Sequence, residues 1–284
     1  YTIPILRDGL TMNAGYSRLN YSLGKEYEVL DAYGTAGVYH IGLDYAIRRS
    51  QRNNLYTGFR FESSKLRDEY RAAGIVYSDK HSNAGILSLY GDEQDAKGMT
   101  GWRAEVKLGT LGFDSDVTHA YFDDTNIEGT YAKFNANILR RQSLNDRTYL
   151  LLSARGQYSS RNLDSSERMS LGGISGVRAY PQSEASGDIG YLTRAELRWL
   201  LPLKKQDQTL QLAAYLDHGA VRANKSGGAD NYRKLQGMGL GLIWSRKDDW
   251  WLRTDYAWRL GAERPSSDTT SSNGQFWIQG GVYF

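Results

Sequence analysis

The sequence predicts an all-β protein, a membrane-spanning antiparallel β-barrel that occupies residues 1–284. Three observations predict this class: apolar and charged residues alternate along many segments, aromatic residues are abundant, and the chain ends on an aromatic strand. The chain contains 21 Tyr, 7 Trp and 31 Gly but only 4 Pro. Tyr and Trp favour strands and form the aromatic girdles at a membrane–water interface. By itself, however, this composition fits a soluble β protein equally well.

Alternation is clearest in the segment GWRAEVKLG, whose apolar residues share one face of a strand: Trp102, Ala104, Val106 and Leu108. Residues 39–47, 132–138 and 251–259 follow the same period of two, and similar phrases bring the count to about twelve strands. No segment has a convincing helical period. The polar stretch 263–273 is interpreted as one long surface loop.

Two architectures can bury one face of so many strands. A soluble sandwich turns its apolar face inward, whereas an outer-membrane barrel turns that face to lipid and its charged face to a polar interior. Alternation alone does not separate them. Several runs reach ten residues or more, which is the length a tilted membrane strand needs. The final segment GQFWIQGGVYF ends on Phe284 and resembles the insertion signal of outer-membrane barrels, so the membrane barrel is favoured.

Several function classes are excluded by composition and spacing. The 35 basic and 32 acidic residues are spread along the chain and form no basic block, so no nucleic-acid partner is expected. No apolar run is long enough for a membrane helix. The chain has no Cys, its 4 His lack metal-ligand spacing, and no nucleophile or phosphate-binding motif occurs. We therefore expect no cofactor, no metal and no enzymatic activity.

Two motifs carry a resemblance to a known family. The segment LGGISGVRAYP contains Val177, Arg178, Ala179 and Tyr180, and YLDHG follows at residues 215–219. These resemble the V-R-G-F/Y and F-x-D-x-G motifs of the Omp85 superfamily, with Ala in place of Gly and Tyr in place of Phe. Within it, the chain resembles the outer-membrane transporters of two-partner secretion, the TpsB or hemolysin-activator type.

The resemblance implies a 16-stranded barrel preceded by two periplasmic POTRA domains. This chain would hold 12–14 of the strands and begin downstream of the true N-terminus. The extracellular loop 171–188 would fold back into the barrel lumen, where Arg178 would bind acidic residues on the next two strands. Gly172 and Gly173 would let that loop turn tightly, with Val177, Tyr180 and Gly219 as the motif context.

The alternation supports such partners independently of the family. Tyr191, Leu197 and Trp199 share one face, so Glu196 points to the other. By the same parity Asp217 points inward, opposite Leu212 and Leu216. A guanidinium can bind two carboxylates through its planar fork. Arg178 could instead be an ordinary solvated loop arginine, but two inward carboxylates and the motif favour an anchor that fixes the loop.

A row of glycines lies on the inward face of a later strand: Gly237, Gly239 and Gly241. A glycine row lets another backbone approach closely. We expect the inserted loop or a transiting substrate to pass near it. Room for bulky neighbouring side chains is an equal alternative.

The resulting functional expectation is a pore in the outer membrane of a Gram-negative cell. It would translocate an unfolded TpsA-type exoprotein, a hemolysin, adhesin or contact-dependent toxin, to the cell surface. Other expected partners are outer-membrane lipids and lipopolysaccharide, and the barrel-assembly machinery during biogenesis. The alternatives are an Omp85-type protein insertase and a passive diffusion porin, in which the arginine loop would be incidental.

Overall fold

The computed structural model describes residues 1–5, 9–22, 29, 31–203, 205, 207–223, 231–267 and 273–283. The strands are β1 Thr2–Pro4, β2 Leu10–Ser22, β3 Ala32–Arg48, β4 Asn53–Tyr70, β5 Ile75–Asp95, β6 Gly98–Phe113, β7 Gly129–Ser143, β8 Thr148–Ser159, β9 Met169–Leu171, β10 Ala185–Gly187, β11 Ile189–Leu201, β12 Gln208–Arg222, β13 Tyr232–Arg246, β14 Trp250–Arg259 and β15 Gly274–Val282. One α-helix, α1, covers Asp116–Phe122. The predicted insertion signal, Phe284, lies outside the described residues.

Thirteen strands form one sheet in the order β1 to β8 followed by β11 to β15. The short strands β9 and β10 pair with each other in a separate hairpin. The chain divides into two compact units. The first contains Tyr1–Gly91, Arg103–Asn135 and Ser159–Asp164, and the second contains Asp92–Trp102, Ala136–Tyr158 and Ser165–Phe284.

The two faces of the strands differ as the alternation predicts. Apolar side chains of one face are exposed, including Ile41 at 48%, Leu240 at 49% and Ile278 at 64%. The other face carries charged side chains that are nonetheless buried: Lys80, Lys107, Lys133, Glu196, Asp217 and Asp255. A soluble sandwich would show the reverse arrangement, so the exposed apolar face requires a hydrocarbon environment.

In the second unit the connections between strands differ in length at the two ends. Residues 144–147, 202–207 and 247–249 form short connections at one end. The connections at the opposite end comprise residues 160–188, 223–231 and 260–273 and are longer. In outer-membrane barrels the turns are short at the periplasmic side and the loops long at the cell surface. The end with residues 160–188 is called the long-loop end below.

The main sheet has thirteen strands among the described residues, within the predicted range of 12–14. Helix α1 had no helical period in the sequence to indicate it; it is capped by a hydrogen bond from the Thr118 backbone N–H to Ser115 Oγ at 3.2 Å. Such a cap stabilises a helix locally, and seven residues are too few to show a hydrophobic period. Within the described part of the chain, no helix has the length and apolar character to cross a membrane.

The exposed apolar face generates a first prediction. Ile138 and Asn137 are neighbours on β7 whose side chains point to opposite faces. Ile138→Arg should lower the free energy of unfolding in lipid by about 2–4 kcal/mol, because a charge on the lipid face is poorly solvated. Asn137→Arg, the matched control, should unfold close to wild type. Urea unfolding of the protein in vesicles measures both, and equal losses would contradict the assignment of the faces.

Candidate functional site

Backbone hydrogen bonds within the arginine loop, residues 171–188, stabilise its conformation independently of its contacts with the strands. Strand β9 pairs with β10 at its base, and the Gly173 N–H donates to Tyr180 O at 3.0 Å. Gly172 and Gly173 adopt φ of 89° and 79°, a left-handed conformation that costs other residues energy. A Cβ at Gly173 would also lie 3.1 Å from the backbone Cα of Gln182. The two glycines therefore make this tight fold possible.

Arg178 sits at the tip of the loop with a side chain that is only 1% exposed. Its Nε donates to Asp217 Oδ2 at 2.8 Å and its Nη2 to Asp217 Oδ1 at 2.7 Å, a bidentate pair. Its Nη1 donates to Glu196 Oε2 at 2.6 Å, and its backbone N–H donates to Asp217 Oδ2 at 3.1 Å. The structure thus brings together the three residues that the sequence had selected, from the loop, β12 and β11.

Two aromatic residues complete the surroundings of Arg178. The guanidinium carbon lies 3.3 Å from the centroid of the Tyr215 ring, a cation–π contact in a buried site. The Trp277 indole N–H on β15 donates to the backbone carbonyl of Arg178 at 2.7 Å. The YLDHG motif therefore supplies both the carboxylate of Asp217 and the ring of Tyr215. Trp277 on β15 holds the backbone of the arginine loop.

The ion-pair cluster extends to residues that the sequence-based selection of site residues missed. Arg253 donates to Glu196 Oε2 at 3.0 Å and to Asp255 Oδ1 at 2.8 Å. Asp255 Oδ1 also lies 3.9 Å from Arg178 Nη1. Arg198 donates to Glu196 at 2.6 Å and Arg194 to Asp217 at 3.4 Å. The alternation places the side chains of all four residues on the polar face of their strands. It does not show which charges on that face are in contact.

The electrostatics of the cluster keep Arg178 charged. Burial alone lowers the pKa of its guanidinium, but hydrogen bonds to Asp217 and the charges of Asp217 and Glu196 outweigh burial and raise that pKa. Removing the side chain of Arg178 would leave the buried Asp217 carboxylate with only the 3.4 Å ion pair to Arg194 among the described residues. No group of three or more His, Asp or Glu side chains suited to a metal ion occurs within the described ranges. The arrangement is thus equipped to fix a loop.

The glycines of β13 lie close to different neighbours, the arginine loop at one position and side chains of adjacent strands at the other two. An ideal Cβ at Gly237 would lie 2.6 Å from the Ala179 Cβ, so the arginine loop approaches the wall there. Gly239 leaves space for the ring of Tyr215, whose Cζ would lie 2.4 Å from an added Cβ. At Gly241 the neighbour is Asp255 Oδ1, at 2.6 Å.

Apolar contacts hold the remainder of the loop. Val177, Ala179 and Tyr180 are each 0% exposed and belong to one buried cluster with residues of β11 to β14. An added Cβ at Gly219 would lie 3.0 Å from Leu171 Cδ2, so the glycine of the second motif leaves room for the first residue of the loop. Val177, Ala179 and Tyr180, the motif residues on either side of Arg178, therefore stabilise the loop through apolar packing.

The buried ion pair generates a second prediction. Arg178→Ala should lower the free energy of unfolding by about 3–5 kcal/mol, because Asp217 would remain buried with only the 3.4 Å ion pair to Arg194 in the described part of the chain. Arg178→Lys should recover only part of this loss, since an ammonium cannot bind in a bidentate manner. Guanidinium unfolding in detergent measures both. The control is Arg246→Ala, which removes two half-exposed ion pairs, with Asp207 and Asp249, and should cost about 1 kcal/mol or less.

The close approach at Gly237 generates a third prediction. Gly237→Ala should destabilise the protein by about 1–3 kcal/mol, since the new methyl group meets Ala179. Ala179→Gly, which removes the facing methyl group, should restore most of that stability in the double variant. The control is Gly239→Ala, which meets Tyr215 instead and should not be rescued by Ala179→Gly. Additive losses in the first pair would contradict a direct contact.

Comparison with known proteins identifies the family of this chain. The model of the haemolysin secretion/activation protein family ShlB/FhaC/HecB matches residues 1–243. The heme/hemopexin transporter protein HuxB of Haemophilus influenzae is 26% identical over 280 residues, which cover 96% of this chain and 48% of HuxB. The chain therefore spans about half the length of the curated relatives it matches. These relatives are transporters.

Two solved structures are similar in fold. CdiB from Escherichia coli superposes with a TM-score of 0.80 at 19% sequence identity, covering 96% of this chain and 51% of CdiB. BamA from Haemophilus ducreyi superposes with a TM-score of 0.66 at 15% identity, covering 100% of this chain and 61% of the other. Both are outer-membrane β-barrels, which confirms the predicted fold class. A curated relative from Escherichia coli, 30% identical over 113 residues, is the outer membrane transporter CdiB. The chain belongs to the haemolysin secretion/activation family ShlB/FhaC/HecB.

Proposed function

We propose that this chain is the pore of a two-partner secretion transporter, through which an unfolded exoprotein reaches the cell surface. The cargo class is a large TpsA-type protein, a hemolysin, adhesin or contact-dependent toxin. The observation that carries the proposal is the bidentate contact of Arg178 with Asp217, formed within the two motifs that also carry the family resemblance.

We further propose that residues 1–284 form the transmembrane barrel and that the arginine loop lies in its lumen. The burial of Arg178, Glu196 and Asp217 on the polar face of the strands supports this placement. A loop fixed by buried charges keeps one position while a chain moves past it. Polar-face charges of both signs would offer an extended polypeptide many weak, exchangeable contacts.

The partners follow from the two faces. Lipids and lipopolysaccharide would cover the exposed apolar face, and the barrel-assembly machinery would insert the chain during biogenesis. No enzymatic step is proposed. The relatives' names describe transport, and nothing in the ion-pair cluster resembles a nucleophile beside a general base.

The fourth prediction tests the proposal in cells that carry the transporter together with its candidate TpsA-type exoprotein. Arg178→Ala should reduce the exoprotein in the medium at least about tenfold, because an anchor lost at a cost of several kcal/mol leaves the loop in its working position for only a small fraction of the time. The measurement is exoprotein in the medium relative to transporter in the membrane. The control Arg246→Ala should secrete normally.

The possible outcomes separate the candidate functions. Secretion at the wild-type level from Arg178→Ala would contradict the role of the anchor and favour a passive diffusion porin. Loss of other barrels from the outer membrane on deletion of the gene, with the exoprotein unaffected, would favour an insertase.

A further inference from the structure

A second buried carboxylate in the arginine loop, Glu184, makes contacts unrelated to those of Arg178. Its side chain is 0% exposed. It accepts hydrogen bonds from the backbone N–H of Ser266 at 2.6 Å and of Ser267 at 3.2 Å, and from their hydroxyl groups at 2.9 and 2.5 Å. Arg233 at the long-loop end of β13 adds a donor from Nη2 at 2.9 Å. Glu184 is therefore enclosed by five donors from two other elements.

Ser266 and Ser267 lie in the described segment 260–267 that follows β14, which we call the outer loop. A further contact joins it to the arginine loop, from the hydroxyl of Tyr180 to the carbonyl oxygen of Glu263 at 3.1 Å. Arg233 also pairs with the Glu263 carboxylate at 2.5 Å. The outer loop is thus attached to the arginine loop at Glu263 and at Ser266 and Ser267.

The charge of Glu184 is essential to this contact. Burial alone raises the pKa of its carboxyl, but hydrogen bonds from Ser267, Ser266 and Arg233 outweigh burial and lower that pKa. An ionised carboxylate that accepts from backbone N–H groups and a guanidinium forms stronger hydrogen bonds than a neutral acceptor does. Neutralising Glu184 should therefore weaken the attachment of the outer loop while leaving the Arg178 cluster in place.

We propose that Glu184 is a second positioning residue of the pore, which fastens the outer loop over the arginine loop at the long-loop end. This inference rests on the proposed function in one respect: an exoprotein that leaves at this end must pass the fastened outer loop. The two anchors of the arginine loop then have separate tasks. Arg178 fixes the arginine loop to the strands, and Glu184 holds the outer loop against it.

The experiment uses the lack of cysteine in this chain. Ala185, the chain neighbour of Glu184, is 5% exposed and belongs to the buried apolar cluster of the arginine loop, so Ala185→Cys in the transporter introduces a buried thiol. The rate at which a membrane-impermeant maleimide labels this thiol on intact cells reports how often the loop segment beside Glu184 opens to solvent. Adding Glu184→Gln should accelerate labelling at least about tenfold, because a charge-assisted hydrogen-bond set is lost from a local opening equilibrium.

Two matched variants sharpen the result. Ser266→Ala with Ser267→Ala removes the hydroxyl donors but keeps the backbone donors, and it should accelerate labelling by a smaller factor. Asp249→Asn removes a half-exposed carboxylate at the opposite end of β14 and should leave the rate unchanged. Unchanged labelling in Glu184→Gln, with normal heat-modifiable migration of the folded barrel, would overturn the proposal.

A second readout separates this inference from the proposed function. In planar bilayers, Glu184→Gln should raise the frequency of channel openings severalfold while Asp249→Asn does not. Faster labelling and more frequent openings together with unchanged exoprotein secretion would support the fastening and contradict its place on the export path. Failure of Arg178→Ala to affect secretion would bear on the proposed function alone, since neither labelling nor conductance depends on a cargo.

Discussion

The structure depends on the ion pairs of one guanidinium, that of Arg178, with the carboxylates of Asp217 and Glu196. A charge that is buried needs several partners at once, because each hydrogen bond it lacks leaves a desolvated group uncompensated. The chain meets this requirement from two strands, and a tyrosine ring stacks on the guanidinium. Further arginines neutralise the carboxylates in turn. The loop position follows from this requirement, because few other positions would satisfy all these groups.

A second constraint is steric and concerns the wall beneath the loop. Register pairs Asp217 with Gly237 across β12 and β13, and Gly241 with Asp255 across β13 and β14. Glycines therefore stand directly beside the carboxylates that bind arginine. A larger residue at Gly237 would push the loop away from Asp217, so the glycine row and the ion pairs depend on each other. The Ala179 methyl group occupies the space that Gly237 leaves.

Both anchors of the arginine loop use carboxylates, but in opposite senses. At Arg178 the loop supplies the cation and the strands supply the anions, whereas at Glu184 the loop supplies the anion and receives donors from the outer loop and from β13. The first joins the loop to rigid elements. The second joins it to a connection between strands, a kind of element that opens at lower free energy than a sheet does. In our proposal the Arg178 contacts fix the arginine loop, and the Glu184 contacts hold the outer loop against it.

The sequence by itself determined which side of each strand is apolar, and hence that Glu196 and Asp217 lie on the polar face, because side-chain parity is a local property of an extended backbone. The contact of both with Arg178 was implied by the family resemblance. The two motifs added the loop and the family. Only the tertiary structure decided that Arg253 and Asp255 join the cluster, since their proximity depends on the register of the β11 to β14 ladders. Helix α1 and the contact of Glu184 with Ser266 and Ser267 also emerged only in three dimensions. The reason is physical: seven residues carry no measurable period, and a contact across 82 residues leaves no trace in local sequence.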